Sequence, residues 1–320
     1  MTVQDLKSKL TLPVIVSPMF IISGTKLVIE CCKNGIVGTF PALNGRTSEA
    51  FEAMLQEVTT ELAKFEQETG RKAAPFGVNI IVNKTNPRVM PDLQLCMKYK
   101  VPLVITSLGA VKELVDAVHS YGGLVFHDIV KKRHAEKAAE AGVDGLICVS
   151  AGAGGHAGTA NPFALISEIK NFYKGAVLLA GSLDTGADVL AAQTIGADFA
   201  YMGTRFIATQ ECLAQDEYKA MVVSSGIDDI IYTDGVSGVN ANFLKQSIVK
   251  AGINIEEKKE EDFSKLSGDE AKAWKDIWSA GHGCAGITEV VSVHALVEKL
   301  KSEYKSALDK NAAISAQLSF

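Results

Sequence analysis

The sequence predicts an α/β fold, a (β/α)8 barrel with a helical insertion after strand eight, and three observations carry that expectation. Eight short apolar, β-branched runs recur along residues 13–202. Each run is continuously apolar rather than alternating, which parallel strands covered on both faces require. Stretches of helical period separate them, mostly at about 20 to 25 residues from strand to strand, the rhythm of a closed barrel.

The strands are expected at 13–16, 35–38, 76–82, 102–106, 123–126, 145–149, 176–180 and 198–202. Between them, 110–118 and 134–141 carry helical spacing, and the second stretch stops at Gly142, where a left-handed cap belongs. A doubly wound open sheet would satisfy the same periodicity, because period does not show closure. The pattern changes after Thr209. Residues 210–280 hold few strand-like runs, a charged segment at 256–262 and a Trp-bearing helix at 271–278. The expected organisation is therefore a barrel at 1–209, a helical insertion or lid at 210–280, and a segment 281–320 whose amphipathic helix, about 290–309, packs back on the barrel. The charge run reads as a solvated face.

Composition narrows the partners. The 320 residues are 47% hydrophobic and 22% charged, enough for a large core. A net charge of -5 favours neither nucleic-acid phosphates nor an anionic membrane, so a small molecule is the expected partner. The six cysteines form no C-x-x-C pair, which points to reduced thiols and no metal site. The first ten residues lack a secretory h-region and no apolar stretch reaches about 18 residues, so a cytoplasmic protein is expected.

In a barrel the residues after each strand gather at one face and build the site. By that rule Ser17 and Met19, Asn79, His127 and Asp128, 150–158, Gly181 and Ser182, and Gly203 to Arg205 share the top. Residues 150–158 hold four glycines around His156. Glycine lets a flat or anionic ligand approach the backbone, and an imidazole there can move protons near neutral pH. The loops after strands seven and eight occupy the place where barrels often bind phosphate through N–H groups and a helix N-terminus. His282, also among glycines, lines the cofactor's outer edge or simply makes a turn.

Four motifs in order give the chain a family resemblance: Gly-Val-Asn at 77–79, Ala-Gly-Gly-His-x-Gly at 153–158, Gly-Ala-Asp at 196–198 and Met-Gly-Thr-Arg-Phe-x-Ala-Thr at 202–209. Together they resemble the nitronate monooxygenases, formerly 2-nitropropane dioxygenases, over about 13–209 and on to 277–281. The resemblance implies a TIM barrel with noncovalent FMN at its top. It places Gly181, Ser182, Gly203 and Thr204 at the phosphate and Met19, Asn79 and Gly154 along the ring or ribityl chain, with Ser150 and Met202 also at the cofactor. It makes His156 the catalytic residue, as base or anion binder, and implies oxidation of an alkyl nitronate with O2 to a carbonyl compound and nitrite. Many relatives carry Gln-Gly-x-Glu where this chain reads Val149 to Gly152, so a polar contact and an acidic neighbour of the histidine are missing. Reduction of quinones by NAD(P)H, reduction of enoyl thioesters, and a flavin- or phospholigand-binding barrel without turnover remain alternatives, and a homodimer is one expected assembly.

Overall fold

The computed structural model describes residues 1–83, 85–236, 238–253 and 277–318. Its central sheet is parallel: β1 (Val14–Val16), β2 (Thr39–Pro41), β3 (Gly77–Ile81), β4 (Leu103–Ser107), β5 (Leu124–Ile129), β6 (Gly145–Val149), β8 (Ala176–Ala180) and β9 (Phe199–Met202). A two-residue strand, β7 (Gly155–His156), lies between β6 and β8 in the chain. The eight parallel strands neighbour one another in the order β1-β9-β8-β6-β5-β4-β3-β2. The two ends meet through a parallel bridge between Ile15 and Val37, where Val16 N–H donates to Val37 O at 2.8 Å and Val37 N–H to Val14 O at 3.1 Å. The sheet is thus closed, and the open alternative falls.

β2 begins at Thr39, beyond the apolar run at 35–38. That run is spent on the turn, with Gly35 at φ 81°, and only Val37 in it bonds to β1. Elsewhere the strands sit where the runs predicted them.

Continuous apolarity follows from two covered faces. Ile15, Ile105, Phe126, Ile147, Leu178 and Phe199 pack into the barrel interior. Their chain neighbours, such as Val104, Val125, Leu146 and Val177, pack outward with the helices. Because side chains alternate, the last inward positions of β4, β5 and β9 fall to Ser107, Asp128 and Tyr201, with Asn79 on the inward face of β3 one inward position before Ile81, and there the interior turns polar.

The segment after Thr209 departs from the helical insertion expected of it. It holds the helix Asp216–Ser224, then β10 (Ile230–Thr233) and β11 (Ala241–Leu244), then the helix Lys245–Lys250. β10 and β11 pair antiparallel, and β11 also pairs with β7, so the second sheet ties this segment to the loop after β6. The strands are only four residues each and interrupted by polar residues, Thr233 in one and Asn242 in the other, which conceals them in the sequence. The charge run at 256–262 and residues 271–276 of the expected Trp helix lie outside the described residues; Trp278 stacks on Tyr218 at 5.0 Å. The last helix runs Val293–Gln317, longer than expected, and buries Val293, Leu296, Val297 and Leu300 against the side of the barrel that carries the helix Gly186–Thr194. Among the described residues no cluster could hold a metal and no helix is long and apolar enough to cross a membrane. All six cysteines are free and buried.

Candidate active site

Three groups of residues meet at the C-terminal ends of the strands: a polar floor, a seat of loop N–H groups, and a roof that carries His156. The floor comes from three adjacent strands. Asn79 Nδ2 donates to Ser107 Oγ at 2.8 Å and to Ile105 O at 3.2 Å, and Ser107 Oγ donates to Asp128 Oδ2. Burial pushes the Asp128 carboxyl up to about 6, against the opposing hydrogen bond from Ser107. Tyr201 stands beside it, its phenol held well above the usual range by burial and then by Asp128, while Ser17 bonds its hydroxyl. His127 faces away from the mouth: it is buried, pairs its Nδ1 with Thr106 Oγ1 at 2.7 Å, and is pushed down to about 4 by burial.

The seat lies between the loops after β8 and β9. Ser182 adopts φ 57°, a left-handed conformation that costs an L-residue roughly 1–2 kcal/mol. Four non-glycine residues have positive φ among the described residues, and three of them, Ile21, Leu108 and Ser182, lie in loops at this face of the barrel. Strain of that kind gathers where a loop is held for a ligand. No protein acceptor takes the N–H of Ser182, Gly203 or Thr204 among the described residues.

The neighbouring helix N-terminus is different, because the protein closes it. Asp188 Oδ2 accepts from the N–H groups of Asp184 and Thr185, Thr185 Oγ1 accepts from Asp188 N–H, and Glu303 Oε2 accepts from Gly186 N–H. The N-terminus of the helix Gly186–Thr194 is therefore already capped, and the donors left are the loop N–H of Ser182 and those of Gly203 and Thr204 at the start of the short, uncapped helix Thr204–Ile207. Beneath them Arg205, 3% exposed, places its Nε 3.4 Å from Asp184 Oδ1, and its Nη1 has no hydrogen-bond partner among the described residues. Burial raises the Asp184 carboxyl to about 6 although Arg205 opposes it.

The roof is the glycine loop, and it is held from a distance. His156 pairs with Ala241 and Gly155 with Asn242 in the second sheet. Asn242 Nδ2 donates to Ala153 O at 2.6 Å, and Tyr232 Oη donates to Ala157 O at 3.0 Å. The imidazole of His156 is thereby fixed in a half-buried position, and burial lowers its pKa, which keeps it neutral at neutral pH. Two of the glycines serve packing between backbones. A Cβ on Gly281 would lie 2.3 Å from Gly152 O, and one on Gly154 would lie 2.9 Å from Gly281 N.

The expected site residues divide accordingly. Met19 lies beside Gly203, its sulfur 3.9 Å from where a Cβ there would stand, and Asn79, Gly154, His156, Gly181, Ser182 and Thr204 share the same face. Ser150 and Met202 turn their side chains away. Ser150 is fully buried and donates to Ala180 O at 2.7 Å, while Met202 packs in the apolar cluster outside the barrel. Only their backbones face the mouth. Ser107, Tyr201, Tyr232 and Asn242 were not singled out from sequence. Ser107 and Tyr201 could have been found as polar ends of apolar runs, whereas Asn242 has no local signal.

The family model for nitronate monooxygenase matches residues 88–303. The chain is 25% identical over 241 residues to a 5-hydroxy-7a-methyl-1-oxo-octahydro-indene-4-carboxyl-CoA dehydrogenase of Mycobacterium tuberculosis, covering 74% of this chain and 64% of that one, so it spans less than two thirds of that relative's length. It is 26% identical to a nitronate monooxygenase of Neurospora crassa, covering 95% and 92% of the two chains. In structure it superposes on FabK from Thermotoga maritima with a TM-score of 0.80, at 22% identity and 98% coverage of both chains, a likeness of fold.

Proposed function

The chain belongs to the nitronate monooxygenase family, and from that premise we propose that it is a flavin-dependent oxidoreductase that binds FMN at the barrel mouth and oxidises an alkyl nitronate with O2 to a carbonyl compound and nitrite. One observation carries the reading: a neutral, half-buried His156 is locked over a mouth whose loops present N–H groups with no protein acceptor among the described residues. The seat suits a phosphomonoester, since Ser182, Gly203 and Thr204 offer donors with no protein acceptor among the described residues. A flavin bound there would accept two electrons from an organic substrate and pass them to oxygen.

The chain's own groups then have defined tasks. Ser182, Gly203 and Thr204 hold the phosphate, and Met19 and Asn79 line the cofactor. His156 sits above the substrate. Being neutral, its imidazole can take the α-proton from a nitroalkane, leaving the nitronate and an imidazolium, or donate a hydrogen bond to a nitro oxygen. Asp128 is the second ionisable group of the mouth, and Ser107 and Asn79 fix its orientation.

A second reading, reduction of an enoyl thioester or quinone by NAD(P)H, is favoured by the apolar rim. Leu108, Val111 and Met90 are 42%, 39% and 60% exposed on loops and a helix start at this face, more apolar surface than a small nitronate needs. Anaerobic mixing of the flavin-loaded protein with propyl-1-nitronate and, separately, with NADH decides between the two. Rapid bleaching by nitronate supports the first reading. Bleaching by NADH alone replaces it with the second.

A further inference from the structure

The phosphate seat spans two adjacent strand ends, and the sheet stops short of it. β8 and β9 pair in register from Leu178 with Phe199 to Ala180 with Tyr201, whereas Ser182, Gly203 and Thr204 lie beyond that last pair. The spacing of the donors is therefore set past the ladder.

A direct tie crosses the gap there. Arg205, next to Thr204 on the helix Thr204–Ile207, places its Nε 3.4 Å from Oδ1 of Asp184, two residues after Ser182. Each partner is fixed on its own side. Asp184 N–H donates to Asp188 Oδ2 at 3.0 Å, and Asp184 Oδ2 lies so close to the turn His282–Gly286 that a Cβ on Gly286 would stand 1.7 Å from it. The helix of Arg205 is anchored by Phe206 and Ile207, both buried in the apolar cluster outside the barrel.

The pair is poorly built for stability. Arg205 and Asp184 are 3% and 8% exposed, yet Arg205 Nη1 and Asp184 Oδ1 have no hydrogen-bond partner among the described residues. Such a pair returns little over apolar residues of similar volume, because desolvating two ions offsets their attraction. Nor is the guanidinium a spare cation for a phosphate. Three carboxylates already act on its charge, Asp184 foremost, then Glu303 and Glu289. What the pair does supply is geometry: opposite charges shielded from water hold the loop after β8 against the helix after β9.

We propose that Arg205 and Asp184 are a positioning pair that sets the span of the phosphate seat, and with it the preference for a flavin carrying a phosphomonoester. The proposal rests on the phosphorylated-cofactor reading above. The pair acts through the segments it joins, since the N–H of Ser182 on one side and those of Gly203 and Thr204 on the other converge on one phosphate only at a fixed separation.

The test is equilibrium binding of FMN and of riboflavin, which lacks the phosphate, to flavin-stripped protein at about pH 8, where Asp184, titrating at about 6, is ionised. Wild-type protein should bind FMN at least about tenfold more tightly than riboflavin, as charge-assisted hydrogen bonds to the phosphate require. The double variant Arg205→Met with Asp184→Leu replaces the pair by apolar groups and should melt at or above the wild-type temperature. It should nevertheless lose about tenfold to a hundredfold in FMN affinity, the cost of a misaligned charge-assisted hydrogen bond, with riboflavin binding level. Asp184→Asn separates position from charge. It removes a negative charge near the seat, so charge alone would tighten FMN binding, whereas a loosened tie weakens it. This single variant decides the matter should the double variant fail to fold.

Unchanged FMN affinity in the folded double variant, or unchanged or tighter FMN binding by Asp184→Asn, overturns the positioning role and leaves the flavin reading intact. An equal loss for riboflavin also overturns it, because the pair would then hold the whole mouth and not the seat. Wild-type protein that binds riboflavin as tightly as FMN removes the seat and the proposal with it. If it binds neither flavin, the flavin reading falls as well.

Discussion

Floor and roof of the mouth are built by opposite rules. The floor, Asn79–Ser107–Asp128, comes from three successive parallel strands whose shared inward face brings these polar side chains within hydrogen-bond reach of one another. The roof takes His156 from one loop and fixes it with Asn242, 89 positions beyond the Ala153 carbonyl that it holds. Local alternation is enough to aim a floor residue. A roof residue is aimed only when a distant hairpin docks, so its geometry depends on long-range pairing and is the more easily disturbed.

The contrast breaks most sharply at His156. His156→Asn should keep flavin and lose about 10²- to 10⁴-fold in turnover, the range for a missing proton-transfer group. Undiminished turnover with flavin bound would remove the histidine from the chemistry.

Next comes the strut that holds it. Asn242→Leu deletes the donor to Ala153 O in a buried position and should cost about 1–3 kcal/mol, read as a lower denaturant midpoint. Turnover should fall more than tenfold with flavin affinity nearly unchanged, because an offset of about 1 Å at a catalytic group can cost about a hundredfold. If kcat matches the wild type, the hairpin only stabilises the loop and does not aim it.

The floor should respond through pH instead. Asp128 is raised to about 6 by burial, so its ionisation opposes folding, and stability present below the unfolded carboxylate pKa is lost as pH rises through the folded one. Asp128→Asn stays neutral at every pH. It should therefore melt higher than the wild type near pH 8 and converge with it near about pH 4, where both side chains are neutral. Equal melting curves at both pH values would mean that the carboxyl is not held in its neutral form by burial.

The smallest effect is expected in the seat. Ser182→Gly relieves a left-handed residue worth about 1–2 kcal/mol but adds chain entropy in the unfolded state, for a net change of about 1 kcal/mol or less. FMN binding should change by less than about tenfold, since the backbone N–H is retained. A large loss of affinity would instead make the hydroxyl the principal donor.

Much of the barrel was legible because its signals are local. Runs such as 103–107 and 176–180 are apolar throughout, as strands between two covered faces must be, and the residues that follow them land on one face by topology alone. That reasoning put Met19, Asn79, Gly181, Ser182, Gly203 and Thr204 toward the strands' C-terminal ends, where the structure also has them. It does not say which way a side chain points, and those of Ser150 and Met202 turn to the core, because alternation at a strand end sends side chains to the core as readily as to the mouth. It read the loop glycines as open surface for a ring, and did not show that Gly152 makes room for the side chains of Ser182 and His282 and Gly154 for the backbone of Ala280 and Gly281. The hairpin β10–β11 escaped notice because its strands are only four residues long and their third partner is two residues of a distant loop.

The sequence by itself determined the eight-stranded parallel α/β pattern and the residues that end its strands, since both follow from periodicity along the chain, whereas closure rests on the long-range pairing of Ile15 with Val37. Tertiary structure alone decided how the loop of His156 is held, which helix N-terminus is already capped, and that the side chains of His282 and Ser182 meet at Gly152. Those depend on contacts between segments far apart in sequence, where one missing side chain or one buried amide sets the distance and no local pattern records it.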